Sequence, residues 1–261
     1  MKFGVVYLQT ELGGDPRGLH DIAVTVDRLG FDSILFYDHV VGADHADRDP
    51  ALWGPYTERD PFHDPFVAFG YLAGITQRIE LAIGVLILPQ RQTVLVAQQA
   101  ADADLLSAGR VRIGVGTGWN WVEYDALGQE FATRGARLDE QIPFLRRLWS
   151  EPLVTFDGRF DRIERGCINP RPARPIPIWI GGFGEAAFRR ADASFGTELI
   201  MTRARTVQDV VDTAERWQEA GGTHVSVLTM RLELATAQAH IDHISAVRAA
   251  IDARFGGSQI S

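Results

Sequence analysis

The segment ELAIGVLILPQRQTVLVAQQAADADLLSAGRVRIGVGTGWN, residues 80–120, decides the fold. It opens with an apolar run, Glu80–Leu88, continues through a helical stretch, Val94–Ser107, and ends in a second apolar run, Arg110–Val115. Two short runs that are apolar on both faces, joined by a helix, belong to a parallel sheet covered by helices. The joint between helix and second run, Ser-Ala-Gly-Arg at 107–110, places a glycine where a helix ends and a strand begins.

The same unit repeats outward in both directions. Toward the N-terminus lie strands over Lys2–Leu8 and Ser33–Tyr37, each followed by a helix, Pro16–Leu29 and Pro65–Thr76. Toward the C-terminus come a helix over Ala136–Trp149, then strands over Pro177–Ile180, Glu198–Met201 and His224–Leu228. Helices follow these over Glu185–Ala193, Val207–Ala220 and Ala235–Ala253. Glycine joints recur at Leu-Gly-Phe-Asp (29–32) and Ala-Gly-Gly-Thr (220–223), and Asp64-Pro65 reads as a helix cap followed by proline at the first helical position. With 261 residues the chain matches one α/β domain of the TIM-type (β/α)₈ barrel over 1–261. The count reaches seven β/α units, one short of a closed barrel.

Two segments break the rhythm. Residues 40–63 form a polar connection of 24 residues rich in Pro and Gly. A loop of that length in a compact domain is expected to act as a lid that closes over substrate. Residues 153–163 carry Asp157-Gly158 between VTF and RFDRI, a hairpin signal for a small insertion on the barrel.

Composition excludes several classes. A net charge of −8 with interspersed signs opposes non-specific nucleic-acid binding. No apolar run reaches the length of a membrane helix, and the N-terminal stretch is too short for a signal peptide, so a cytoplasmic protein is expected. The single cysteine, Cys167, rules out an internal disulfide and a cysteine-based zinc site. No metal is expected: His39, His45 and His63 lack ligand spacing, and His240 and His243 read as a solvated helix face beside Asp242.

The chemistry-bearing residues follow the strands, at the edge where barrel enzymes build their sites. His39 after the second strand is either a general acid–base or a loop-stabilising ring, and Asp38 either orients it, meets a cofactor or caps the turn. Gly84 inside the third strand marks a bulge or a close ligand approach, or relieves crowding in the core. Gly114, Gly116 and Gly118 allow a flat ligand or a phosphate near the backbone, and Trp119 and Trp121 either floor a pocket or pack on helices. Gly181-Gly182 opening a helix reads as an anion site or a tight turn. No nucleophile-elbow motif occurs, so a serine hydrolase is unsupported.

These segments resemble one family. GFDSILFYDHV (30–40), residues 81–128, residues 134–163, PIWIGGFGEAAFRRA (177–191) and AGGTHVSVLTM (220–230) are similar to the luciferase-like monooxygenase superfamily, in its deazaflavin (coenzyme F420)-dependent branch. The resemblance implies a ring cofactor at the barrel mouth and, after the third strand, a non-proline cis peptide at Gly84–Val85. It implies a cofactor phosphate at Gly181 and Gly182, with Asp38 and His39 beside the reactive ring face. Gly116, Gly118 and Asn120 complete the implied cofactor contacts, and Trp119, Trp53 and Tyr56 the substrate pocket, with Phe62 nearby. Members with a glutamate directly after the glycine run carry it as a catalytic acid. Trp119 stands there in this chain, and Asn120 and Glu123 are the neighbouring polar candidates.

The implied reaction is hydride transfer between F420 and a small, apolar or aromatic organic substrate, with His39 managing a proton. FMN-dependent monooxygenation and non-catalytic flavin binding are the alternatives, and a homodimer is expected. Against the family pattern one β/α unit is absent after residue 191. The two strand edges this would expose favour a segment dropped from the sequence over a true deletion.

Overall fold

The computed structural model describes residues 1–182, 185–190 and 196–256. Strand β1 (Lys2–Val6) leads into helix α1 (Pro16–Arg28), then β2 (Ser33–Phe36) and α2 (Pro65–Ile75). The deciding segment forms β3 (Glu80–Ile87), α3 (Thr93–Leu106) and β4 (Val111–Gly116). A short α4 (Trp121–Ala126) and the long α5 (Arg134–Ser150) follow. Next come the hairpin β5 (Val154–Asp157) and β6 (Arg162–Gly166), then β7 (Ile178–Ile180) and α6 (Glu185–Arg190). The chain continues through β8 (Glu198–Met201), α7 (Val207–Glu219), β9 (His224–Leu228) and α8 (Ala237–Phe255).

Local chemistry explains the element ends. Asp15 and Asp64 each accept two backbone N–H groups at a helix start that carries proline. Thr206 and Asp209 close a reciprocal capping box on α7. Gly30, Gly109 and Gly221 take φ of 78°, 81° and 85°, the left-handed region that stops a helix.

Seven strands form one parallel sheet in the order β7-β4-β3-β2-β1-β9-β8. Every residue of β2 and of β4 is buried, as both-face covering requires. The sheet curls as an open barrel. Among the described residues no strand lies between β7 and β8, so both keep a free edge at the place where the sequence lacks a unit. The expected helix over 185–193 is seen to Arg190, and residues 191–193 lie outside the described residues.

An ionic cluster spans the barrel interior below this seam. Arg112 on β4 is 3% exposed, and its guanidinium donates to Glu80 (2.6 Å) on β3 and to Glu198 (2.7 Å) on β8. It also lies 4.3 Å over the ring of Trp179 on β7. Ser226 on β9 donates to the same Glu198 at 2.6 Å. Charge pairing thus joins β4 to β8 where no ladder does.

Two expectations are corrected. His240 is not solvated: it is fully buried, with Nδ1 2.9 Å from Thr229 Oγ1 and Nε2 3.0 Å from the Leu234 carbonyl. Burial accordingly lowers its pKa. The hairpin does not turn on Asp157-Gly158 alone. Four residues, 158–161, connect its strands, and the Glu140 carboxylate of α5 holds the N–H groups of Arg159, Phe160 and Asp161.

Candidate active site

The C-terminal end of β2 delivers Asp38 and His39 in opposite roles. Asp38 is buried: its carboxylate takes a salt bridge from Arg91 (2.5 Å) and the Ile87 N–H (2.9 Å). Arg91 also reaches Asp64 at 3.1 Å. Burial pushes the Asp38 carboxyl up, while the Arg91 charge and hydrogen bonds pull against it. The pair ties the end of β2 to the turn after β3, and among the described residues no hydrogen bond or ion pair joins Asp38 to the His39 ring.

That ring meets Glu123 instead. His39 Nδ1 lies 3.3 Å from Glu123 Oε2, and the carboxylate's other oxygen accepts the N–H groups of Val40 and Val41. Glu123, in the first turn of α4, is 1% exposed. Burial raises its pKa, but the hydrogen bond and charge of His39 and the two N–H donors outweigh it and hold the carboxyl below its ordinary value. Asn120 caps the same helix by accepting the Glu123 N–H and donates to the Val41 carbonyl at 3.1 Å.

Aromatic rings surround the rest of His39. Phe62, Tyr56 and Trp119 stand 4.8, 5.3 and 5.7 Å from it, centroid to centroid. Tyr56 and Phe62 come from the 40–63 connection, so the loop walls the site. Its backbone also docks on Trp119: a Cβ at Gly54 would lie 2.5 Å from that ring. Burial pushes the Tyr56 hydroxyl up to about 12, so it stays neutral. Trp53 is 82% exposed and belongs to none of the described ring pairs.

A ledge lies beside this cage. The Gly84–Val85 peptide is cis, at the place the resemblance implies. The Val85 side chain packs into the space left by two glycines. A Cβ at Gly116 would lie 2.6 Å from it, and one at Gly181 2.2 Å. These glycines therefore admit Val85, where the sequence suggested a ligand. Gly118 serves the same purpose for Ile87, 2.9 Å from its would-be Cβ.

From Gly181 and Gly182 a cavity of about 870 Å³ runs along β8 through the seam. Tyr37 and Glu198 line it, together with the exposed Arg203 and Arg216. Tyr37 and Tyr56, 6.1 Å apart, connect cavity to cage.

The family model described as luciferase-like monooxygenase matches residues 1–236. The chain belongs to that family. An F420-dependent glucose-6-phosphate dehydrogenase of Intrasporangium calvum is 36% identical over 199 residues, 73% of this chain and 55% of the relative. An uncharacterized protein of Mycobacterium tuberculosis is 39% identical over 142 residues, 54% of this chain and 49% of the relative. This luciferase-like chain thus spans about half the length of the curated relatives it matches. The monooxygenase RslO1 of Streptomyces bottropensis shares its fold at a TM-score of 0.64 and 23% identity, over 98% of this chain and 80% of that one. An F420-dependent secondary alcohol dehydrogenase does so at 0.62 and 19%, over 86% and 68%.

In this luciferase-like barrel the structure brings His39, Tyr56 and Trp119 into one cage and Gly84, Val85, Gly116 and Gly181 into one ledge. Gly182 joins the cavity, and Asn120 joins Glu123. Sequence reasoning named Glu123 only as a neighbour and missed Arg91, Arg203 and Arg216. Asn-x-x-Glu, a helix-capping pattern, was the available signal for Glu123.

Proposed function

We propose that this chain is an F420-dependent oxidoreductase that exchanges hydride with a small, apolar organic substrate. The carrying observation is His39 Nε2: it has no hydrogen-bond partner among the described residues and lies within an aromatic cage beside the seam cavity. The resemblance to F420-dependent dehydrogenases supports the same reading.

The residues present fit such a cofactor. The Val85 ledge offers an apolar surface for a flat ring, and the cavity, within the range of small-molecule sites, offers Arg203 and Arg216 to an anionic tail. Gly181 and Gly182 lie at the same end. The deazaflavin supplies a ring carbon that gives or accepts hydride. The chain's own part is placement and proton handling. Tyr56, Phe62 and Trp119 exclude water and hold an apolar substrate, and His39 takes or returns a proton at Nε2.

FMN-dependent monooxygenation is the second reading, and Trp119 in place of a carboxylate, which leaves the cage without an acid at that position, favours a non-catalytic flavin- or deazaflavin-binding protein as the third. Titration of the purified chain with F420 and with FMN decides between the two cofactors. The proposal expects tight F420 binding, and tight FMN with negligible F420 binding overturns it. Binding without turnover on any substrate supports a non-catalytic carrier.

The proposal includes a homodimer. Val67 and Tyr71 on α2 are 73% and 44% exposed, and the neighbouring α3 exposes Leu95 and Leu106 at 52% and 68%. Helix α2 is apolar on nearly every side, and a helix of that kind is normally covered.

A further inference from the structure

We infer that Glu123 is the positioning residue of this site: it holds His39 as the Nδ1–H tautomer, turns the Nε2 lone pair into the cage, and couples that orientation to the start of the 40–63 connection. The inference rests on the reading of His39 as the proton-handling group.

The Glu123 carboxylate is buried and meets two backbone donors, the Val41 N–H at 3.1 Å and the Val40 N–H, and the His39 Nδ1 atom at 3.3 Å. An ionised carboxylate only accepts hydrogen bonds. The hydrogen bonds it makes to His39 and to the two backbone N–H groups keep it ionised despite burial. Nδ1 must therefore carry the hydrogen, and a neutral imidazole with its hydrogen on Nδ1 has its lone pair on Nε2. The other groups around the ring do not compete. Phe62 and Trp119 do not titrate in water, and Tyr56 stays neutral. Among the described residues Glu123 is the one charged partner of His39.

Coupling to the loop follows from the second oxygen. Val40 and Val41 are the first residues of the connection that carries Tyr56 and Phe62, and their N–H groups share the carboxylate with the ring. Asn120 fixes the same point from the other side through the Val41 carbonyl. A displacement of the loop start thus withdraws donors from the group that orients His39. A loop anchor alone would need the two N–H bonds and leave the ring free to choose its tautomer.

The test reads the tautomer directly on the full chain without cofactor. Long-range ¹H–¹⁵N spectra of the ¹⁵N-histidine protein are recorded about two units above the ordinary imidazole pKa of about 6.5. Signals of His39 are identified by their loss in H39A. The expected result is Nδ1–H in the unaltered chain and in Glu123→Asp, and Nε2–H in Glu123→Gln, where the amide nitrogen donates to Nδ1. Trypsin cleavage at Arg48 and Arg59 in the connection should rise about tenfold or more in Glu123→Gln. Nε2–H in the unaltered chain, or Nδ1–H retained in Glu123→Gln, overturns the inference. If Glu123→Gln does not fold, the unaltered chain and Glu123→Asp still decide. Because no cofactor is present, failure here is distinct from failure of the F420 reading.

Discussion

Gly181→Ala is the most direct test of the ledge. The added Cβ would lie 2.2 Å from Val85 Cγ1, against about 3.5–4.0 Å for carbon atoms in contact, so roughly 1.5 Å must be absorbed. Val85 cannot simply rotate away, because a β-branched side chain is stiff at χ1 and the Gly116 side already meets its other methyl. Overpacking of this kind costs about 1–3 kcal/mol, which lowers the melting temperature of a chain this size by about 2–12 °C. Thermal unfolding by circular dichroism reads the loss. The decisive control is Val85→Ala, which removes the clashing methyls. In the double variant Gly181→Ala/Val85→Ala the two changes should cost less than their sum, with a coupling of about 1 kcal/mol or more. Unchanged stability of Gly181→Ala, or simple additivity in the double variant, would refute the idea that Gly181 exists to admit Val85.

Four further outcomes are expected. Arg91→Met strands the buried Asp38 carboxylate and should cost about 3–5 kcal/mol in urea unfolding; Asp38→Asn/Arg91→Met should recover part of it, and a loss below about 1 kcal/mol would count against the pair. Glu123 has a depressed folded-state pKa, so its contribution is present above the ordinary carboxyl value of about 4.3 and is lost as pH falls through the folded value; the stability advantage over Glu123→Gln should shrink in acid, and a constant gap from pH 7 to pH 3 would contradict this. His39→Ala should lower turnover with F420 by about 10²–10⁴-fold while cofactor affinity changes little, and comparable losses in both would remove its catalytic role. Tyr71→Glu should convert a dimer to a monomer in sedimentation velocity, and an unaltered dimer would place the interface elsewhere.

The barrel was legible because its signals are local and repeated. Strands β8 and β9 fall on the expected residues, and the helix caps at Asp64 and Gly109 are stated by neighbouring residues alone. What escaped depends on distance in sequence. Glu123 meets His39 across 84 positions and Arg91 meets Asp38 across 53, and neither strand nor helix periodicity carries such pairings. The six residues of α4 are too few to show a helical period beside a glycine-rich loop. His240 was misread for a related reason: it lies on a long helix with weak amphipathic contrast, and its partners Thr229 and Leu234 precede that helix. The glycines were recognised as sites of close approach, but only the folded chain shows that a valine occupies the space.

The seam makes the barrel an unclosed hoop, and such a hoop distributes its cohesion unevenly around the circumference. Strands β1, β2 and β3 each have ladder partners on both sides, whereas among the described residues β7 and β8 have one apiece, and the Arg112–Glu198 strut ties β8 across the gap to β4, the neighbour of β7. Amide hydrogen exchange should therefore run as a gradient, fastest at Ile178–Ile180 and Glu198–Met201 and slowest at β2, on the far side. Because the strut is buried, high salt should leave that gradient nearly unchanged, while Arg112→Met should steepen it from the open end.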